Sequence, residues 1–372
     1  MLLVENVKKT PMYELHKKYG GKMIEFCGWA LPVQYEGINA EHEAVRTNAG
    51  MFDVSHMGEV EVKGKGATDF IQNLVANDVK VLEDNQALYT HMCYPDGGTV
   101  DDLLVYKYTN DDYLLVINAS NVEKDYSWMV ENTKGFDVET KNISDDIAEI
   151  ALQGPKAQEI LQKLTDTNLD EVKFFYCKKD VNIAGANCMI SRTGYTGEDG
   201  FEIYTSNDSA ADVWEKIMEA GKDEGLKPAG LGCRDTLRFE VALPLYGQEL
   251  DKDISPLEAG LGFFVKLDIE DDFIGKDALK KQKADGLTRK IVGFELKGKG
   301  IPRHGYDVLS NGEKIGFVTT GYQSPSTGRL VGLAMVDIAH AELGSEIEIQ
   351  IRKKVVPAEV VKKRFYNKSY KK

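Results

Sequence analysis

Two runs rich in β-forming residues, Asp102–Tyr108 and Tyr113–Asn118, flank the four-residue polar turn Thr109-Asn110-Asp111-Asp112. That spacing predicts a hairpin, and a hairpin commits its strands to antiparallel pairing. The habit recurs along the chain. Met51–Ser55 and Gly58–Val62 read as strands, and Phe174–Tyr176 with Asn187–Ser191 reads as a further pair. Helices are expected at Glu41–Arg46, Ala67–Val75, Lys156–Leu164 (behind Pro155), Ala210–Gly221 and Cys233–Ala242, without a βαβ rhythm. Beyond about residue 270 only short β-rich runs are expected: Lys290–Leu296, Lys314–Thr320, Leu330–Val336, Glu346–Ile351 and Val355–Val361. The fold class is therefore α+β, with antiparallel sheets, flanking helices and an all-β C-terminal domain.

Composition sets the scale. With 372 residues, 42% apolar and 28% charged, the chain can build two or three cored domains, and disorder is excluded. No apolar run approaches the ~18 residues of a membrane-spanning helix. Met1–Asn6 has no basic, apolar leader pattern, so a secretory signal is not expected. The five cysteines, odd in number and scattered, read as free thiols of a reducing cytoplasm. Net charge is −14, yet the last 21 residues hold nine Lys/Arg and one Glu. An acidic body opposes nucleic-acid binding; the basic end is either a solvated tail or a docking patch for an acidic partner.

Common cofactor motifs are missing. Gly64-Lys65-Gly66 and Gly230-Leu231-Gly232 lack the third glycine of a dinucleotide loop, and there is no P-loop. The six histidines form no His-Glu-x-x-His, so no metal is expected; His56 is either a base or a structural histidine. Instead, Gly97-Gly98-Thr99-Val100-Asp101-Asp102 places two adjacent acids at the mouth of an apolar strand. Side chains alternate along a strand, so Asp101 and Asp102 face opposite ways, and an inward carboxyl should have a raised pKa. Alternation does not say which one that is. Glycine-rich Gly194–Gly200 precedes Phe201-Glu202-Ile203-Tyr204, and Arg234 lies four residues before Arg238, with Asp235 able to pair with the latter.

Taken in order, Phe52-Asp53-Val54-Ser55-His56-Met57, Gly97-Gly98-x-x-Asp101-Asp102-Leu103, Gly194-Tyr195-Thr196-Gly197-Glu198 and Gly230-Leu231-Gly232-Cys233-Arg234-Asp235 resemble the T-protein (aminomethyltransferase) family of the glycine cleavage system. Gly28–Tyr35 and Leu245–Glu249 extend the likeness over nearly the whole chain. The resemblance implies a three-domain cloverleaf with tetrahydrofolate in its central hole. It divides the chain into residues 1–54 with 146–250, residues 55–145 carrying the catalytic acid, a connector at 251–269 and a barrel-like domain at 270–372. It implies transfer of a one-carbon unit from the aminomethyl-lipoyl arm of H-protein to tetrahydrofolate, with release of ammonia and no metal. By the same resemblance Asp102 is the catalytic carboxylate, and Glu202 and Arg234 hold the pterin ring. Met57, Tyr89, Asn118 and Tyr370 complete the folate pocket. Folate-dependent demethylases and non-catalytic folate-binding proteins share the architecture and are the alternatives.

Overall fold

The computed structural model describes residues 7–367. Its first large sheet has six strands in the order Cys177–Ile183, Ala186–Ser191, Gly200–Ser206, Ile147–Gln153, Ala49–Asp53 and Leu226–Pro228. Pairing is antiparallel except at the last edge, where Leu226–Pro228 runs parallel to Ala49–Asp53. The helix Asn207–Ala220 buries Ala210, Val213, Trp214 and Ile217, the i, i+3, i+4, i+7 stripe that lets it lie on a sheet. Met51, Ile150, Leu152, Ile190 and Ile203 supply the sheet's side of that core.

The second sheet runs Gln86–Cys93, Thr99–Thr109, Asp112–Ile117, Gly58–Lys63 and Glu139–Asn142. Alternation along Thr99–Thr109 sorts its residues between two buried environments. Leu103 and Val105 pack with Phe70, Ile71 and Met129 of the helices Ala67–Leu74 and Val122–Glu131. Leu104 and Tyr106 face the other way, toward Tyr204 and Cys177 of the first sheet. Both faces of this strand are therefore covered.

The C-terminal strands close into a barrel: Arg289–Leu296, Leu330–Asp337, Glu313–Gln323, Asp307–Ser310, Glu346–Ile351 and Lys354–Val361. Phe294, Val318, Val336 and Ile349 fill its interior. Five of these strands were expected. Asp307–Ser310 and the helix Lys276–Asp285 were not, since one has four residues and the other buries only Lys276 and Leu279. The expected strand Phe174–Tyr176 is a turn at Phe174 and Phe175, where Phe175 adopts φ 61°, outside the extended region; Tyr176 forms only an isolated bridge to Gln86, and the strand begins at Cys177. No helix among the described residues is long and apolar enough to cross a membrane.

The helix Leu231–Glu240 ties the parts together. A Cβ at Gly230 would lie 2.5 Å from the Val33 backbone, so this glycine pair serves close helix–strand packing. Arg238 is fully buried and donates to Asp235 at 2.7 Å and to Glu249 at 2.6 Å, which makes the anticipated Asp235–Arg238 pair structural. Arg46 donates to Glu198 at 2.9 Å and Glu240 at 3.1 Å, while Ser324 and Ser326 from the barrel donate to the same Glu240. The guanidinium of Arg46 also lies 4.0 Å from the centroid of the Tyr366 ring.

Candidate active site

Strand register assembles the first half of the site. Pairing puts His91 opposite Asp102 and Tyr89 opposite Leu104, so Tyr89 is the diagonal neighbour of Asp102 on one face. The Tyr89 hydroxyl donates to Asp102 Oδ2 at 2.8 Å. Asn118, just past the end of the neighbouring strand, donates from Nδ2 to Asp102 Oδ1 at 2.9 Å and to Asp101 Oδ1 at 2.8 Å. Burial, and after it the adjacent Asp101 carboxyl, push Asp102 up to about 7. Such a carboxyl exchanges its proton near neutrality, as a general acid–base group must.

The second half lies on the first sheet. Glu202 accepts from Thr193 Oγ1 at 2.5 Å and from the Tyr106 hydroxyl. Burial raises its pKa, against the opposing effects of these hydrogen bonds and the charge of Arg234. Tyr106 shares a strand face with Asp102 four residues away, a span of about 13 Å at the usual rise. Arg234, in the first turn of its helix, stacks its guanidinium 4.6 Å from the centroid of Tyr195. No described residue accepts a hydrogen bond from that guanidinium. Burial raises the pKa of Tyr195, and after it the charges of Arg238, Asp102 and Arg234 act on the ring. Met57 packs on one side against Phe52, Val54 and Leu237, and on the other against Leu104, Tyr106 and Val116.

Of the residues expected from sequence, Asp102, Tyr89 and Asn118 form one hydrogen-bonded group, and Met57, Glu202 and Arg234 line the adjoining face. Tyr370 lies outside the described residues. His56 is buried, with its pKa lowered to about 4 by burial and by Arg234, which keeps it neutral. Sequence reading passed over Tyr106, Thr193 and His91, and named Tyr195 only within its glycine-rich block. Tyr106 could have been found, because it has the parity of Asp102. His91 is fully buried, and neither ring nitrogen has a partner among the described residues.

Comparison with known proteins places this arrangement. Residues 12–269 match the GCVT N-terminal domain and residues 289–367 the glycine cleavage T-protein C-terminal barrel domain. The crystal structure of glycine cleavage system aminomethyltransferase T from Bartonella henselae superposes with a TM-score of 0.91 at 31% identity, over 98% of this chain and 100% of that one. The fold is thus that of an aminomethyltransferase. The aminomethyltransferase of Caldanaerobacter subterraneus subsp. tengcongensis is 63% identical over 99% of this chain and 98% of its own. That of Alkaliphilus oremlandii is 63% identical over 98% and 99% respectively. The chain belongs to the glycine cleavage T-protein family.

Proposed function

We propose that this aminomethyltransferase takes the one-carbon unit from an aminomethyl group on the lipoyl arm of H-protein and passes it to tetrahydrofolate, releasing ammonia. The observation that carries the reading is the Asp102 carboxyl, buried, hydrogen-bonded to Tyr89 and Asn118, and poised near neutrality.

The donor set fits a reduced pterin. Glu202 presents a carboxylate that can accept two N–H groups from one ring edge, and Arg234 offers donors to a ring carbonyl. Met57 gives an apolar wall, and Tyr370 is assigned to the same pocket on resemblance alone. The ~13 Å between Asp102 and Tyr106, which bonds Glu202, accommodates a bicyclic ring with a hydrogen bond at each end. Tetrahydrofolate supplies the nitrogen nucleophile when bound. Asp102 orients that N–H, stabilises the positive charge that develops there and takes up the proton that leaves. Tyr89 and Asn118 fix the carboxylate's direction. The amino group is a poor leaving group unless it is protonated, when it departs as ammonia, so a carboxyl that titrates near neutrality suits the site.

The same reading groups residues 1–54 with 146–250, sets apart 55–145, and joins both through 251–269 to the domain 270–372. The three large sheets, whose strands fall within those ranges, support it. The deciding experiment is tetrahydrofolate-dependent ammonia release from aminomethylated H-protein. Formation of 5-methyl-tetrahydrofolate from a methyl donor instead would move the chain to the demethylases, and folate binding without turnover would make it a binding protein.

A further inference from the structure

We propose that Asp101 is a positioning residue that keeps its proton in the working enzyme and donates it to Asp125, leaving Asp102 as the one ionising carboxyl at this end of the strand. The inference rests on the reading of Asp102 as the catalytic acid and adds a role for its neighbour.

Geometry makes the case. Asp101 is fully buried on the helix-facing side of Thr99–Thr109. Its oxygens accept the Asn118 backbone N–H at 3.1 Å, Asn118 Nδ2 at 2.8 Å and Asn121 Nδ2 at 2.9 Å. It is also in hydrogen-bonding contact with the Asp125 carboxyl of the helix Val122–Glu131. Two carboxyl groups can bond each other only with a proton between them. Asp125 is the natural anion of the pair, since Lys124 Nζ donates to its Oδ1 at 2.6 Å. Asp125 Oδ2 has no donor among the described residues and is the oxygen left for the Asp101 proton. Lys124 is itself held, by the Val100 carbonyl and by the Tyr246 ring 5.0 Å away. Asp101, Asp125 and Lys124 together then carry no net charge.

The consequence falls on Asp102. The groups that face it are Tyr89 and His91 from one neighbouring strand and Asn118 just past the end of the other, and its charge also reaches Tyr195 in the loop before Gly200–Ser206. Burial pushes both tyrosines up and lowers His91 to about 3, so all of these stay neutral near pH 7. A negative Asp101 would be the nearest like charge, and after burial it is that charge that carries Asp102 up to about 7; a proton on Asp101 removes it and leaves burial to hold Asp102 above the usual carboxylate range. Burial of Asp101, and the Asp125 charge beside it, keep the proton in place. Asn118 completes the arrangement, for one side-chain amide donates to both acids.

The test uses the full-length protein with H-protein and tetrahydrofolate. Asp101→Asn copies a protonated Asp101, and it is expected to keep turnover within a few-fold and the acid limb of the pH–rate profile in place. Asp125→Asn leaves Lys124 to favour an ionised Asp101, so the acid limb should move up by about one pH unit. The double variant Asp101→Asn/Asp125→Asn should bring it back. An Asp101→Asn loss as large as that of Asp102→Asn, or an Asp125→Asn profile matching wild type, overturns the proposal. A second readout does not need turnover. Infrared spectra of protein labelled with ¹³C at the aspartate carboxyls should contain, at about pH 8, a protonated-carboxyl band that Asp101→Asn removes and Asp102→Asn retains. Its absence from wild type also overturns the proposal. If wild type released no ammonia, the functional reading would fail, and the infrared band would still decide the state of Asp101.

Discussion

The hydroxyl of Tyr89 reaches diagonally across a strand pair to donate to Asp102 at 2.8 Å, and it stabilises the ionised form of the acid. The working form of Asp102 is the carboxylate, so kcat/KM should fall about tenfold per pH unit below its raised pKa. Tyr89→Phe removes a bond that lowers the pKa, so that limb should move upward. Asp102→Asn should cut turnover by ~10²-fold or more with folate affinity changed only a few-fold. Ammonia release against pH, paired with folate titration, measures both. A severe loss in Asp101→Asn together with a mild one in Asp102→Asn would reassign the catalytic role.

Glu202 and Arg234 act on the bound ring rather than on the moving carbon. Glu202→Gln and Arg234→Ala should therefore weaken tetrahydrofolate binding, by ~2–4 kcal/mol for loss of one partner of a buried charged contact. Isothermal titration reads this directly. Unchanged affinity in both variants would return the residues to a purely structural role.

The basic C-terminal stretch is not uniformly free. Lys363 Nζ donates to the Ala259 carbonyl at 2.8 Å, and burial lowers its pKa, whereas Lys362 and Arg364 are exposed. A docking role for this stretch therefore belongs to the exposed pair. Charge reversal at Lys362 and Arg364 should raise the KM for H-protein and flatten its salt dependence, with kcat at saturation nearly kept. Superimposable salt curves would assign the segment to solvent.

Glu59 is 1% exposed, and neither carboxyl oxygen has a partner among the described residues. Burial alone raises its pKa well above the usual carboxylate range. The unfolded chain gives up this proton near pH ~4.3, whereas the folded one keeps it to higher pH. Stability contributed at this position therefore falls as pH rises past that point. Glu59→Gln should remove the slope and stabilise the protein by ~1–2 kcal/mol at alkaline pH, with little change at about pH 5. Urea midpoints at the two pH values decide it.

Much of this architecture was legible from alternation and turns, because hairpins are local. The barrel strands and the Asp102–Asn118 hairpin are of this kind. The choice between Asp101 and Asp102 was not legible, since both faces of their strand are buried and an inward-facing argument applies to each. Choosing needed the partners: a helix carboxyl for Asp101, and the hydroxyl of Tyr89 for Asp102. The wrongly expected strand at Phe174–Tyr176 failed on a single positive φ at Phe175, which no hydrophobic pattern reveals. Arg234 and Arg238 look alike in sequence, yet one is locked in ion pairs and the other is not; burial by distant segments decides that.

The strand Thr99–Thr109 works as a ruler with one permitted phase. A single residue gained or lost between Gly98 and Asp101 would rotate every later side chain to the opposite face, sending Asp102 to the helices and Asp101 to the side of Tyr89 and the first sheet. The start of the ruler is clamped: a Cβ at Gly98 would sit 1.9 Å from the Lys252 carbonyl, and Thr99 Oγ1 donates to the Ile254 carbonyl at 2.7 Å. Descendants of this chain can change letters along the strand more readily than they can change its length. An insertion tolerated in the loop before Gly97 is expected to be lethal to activity four residues later.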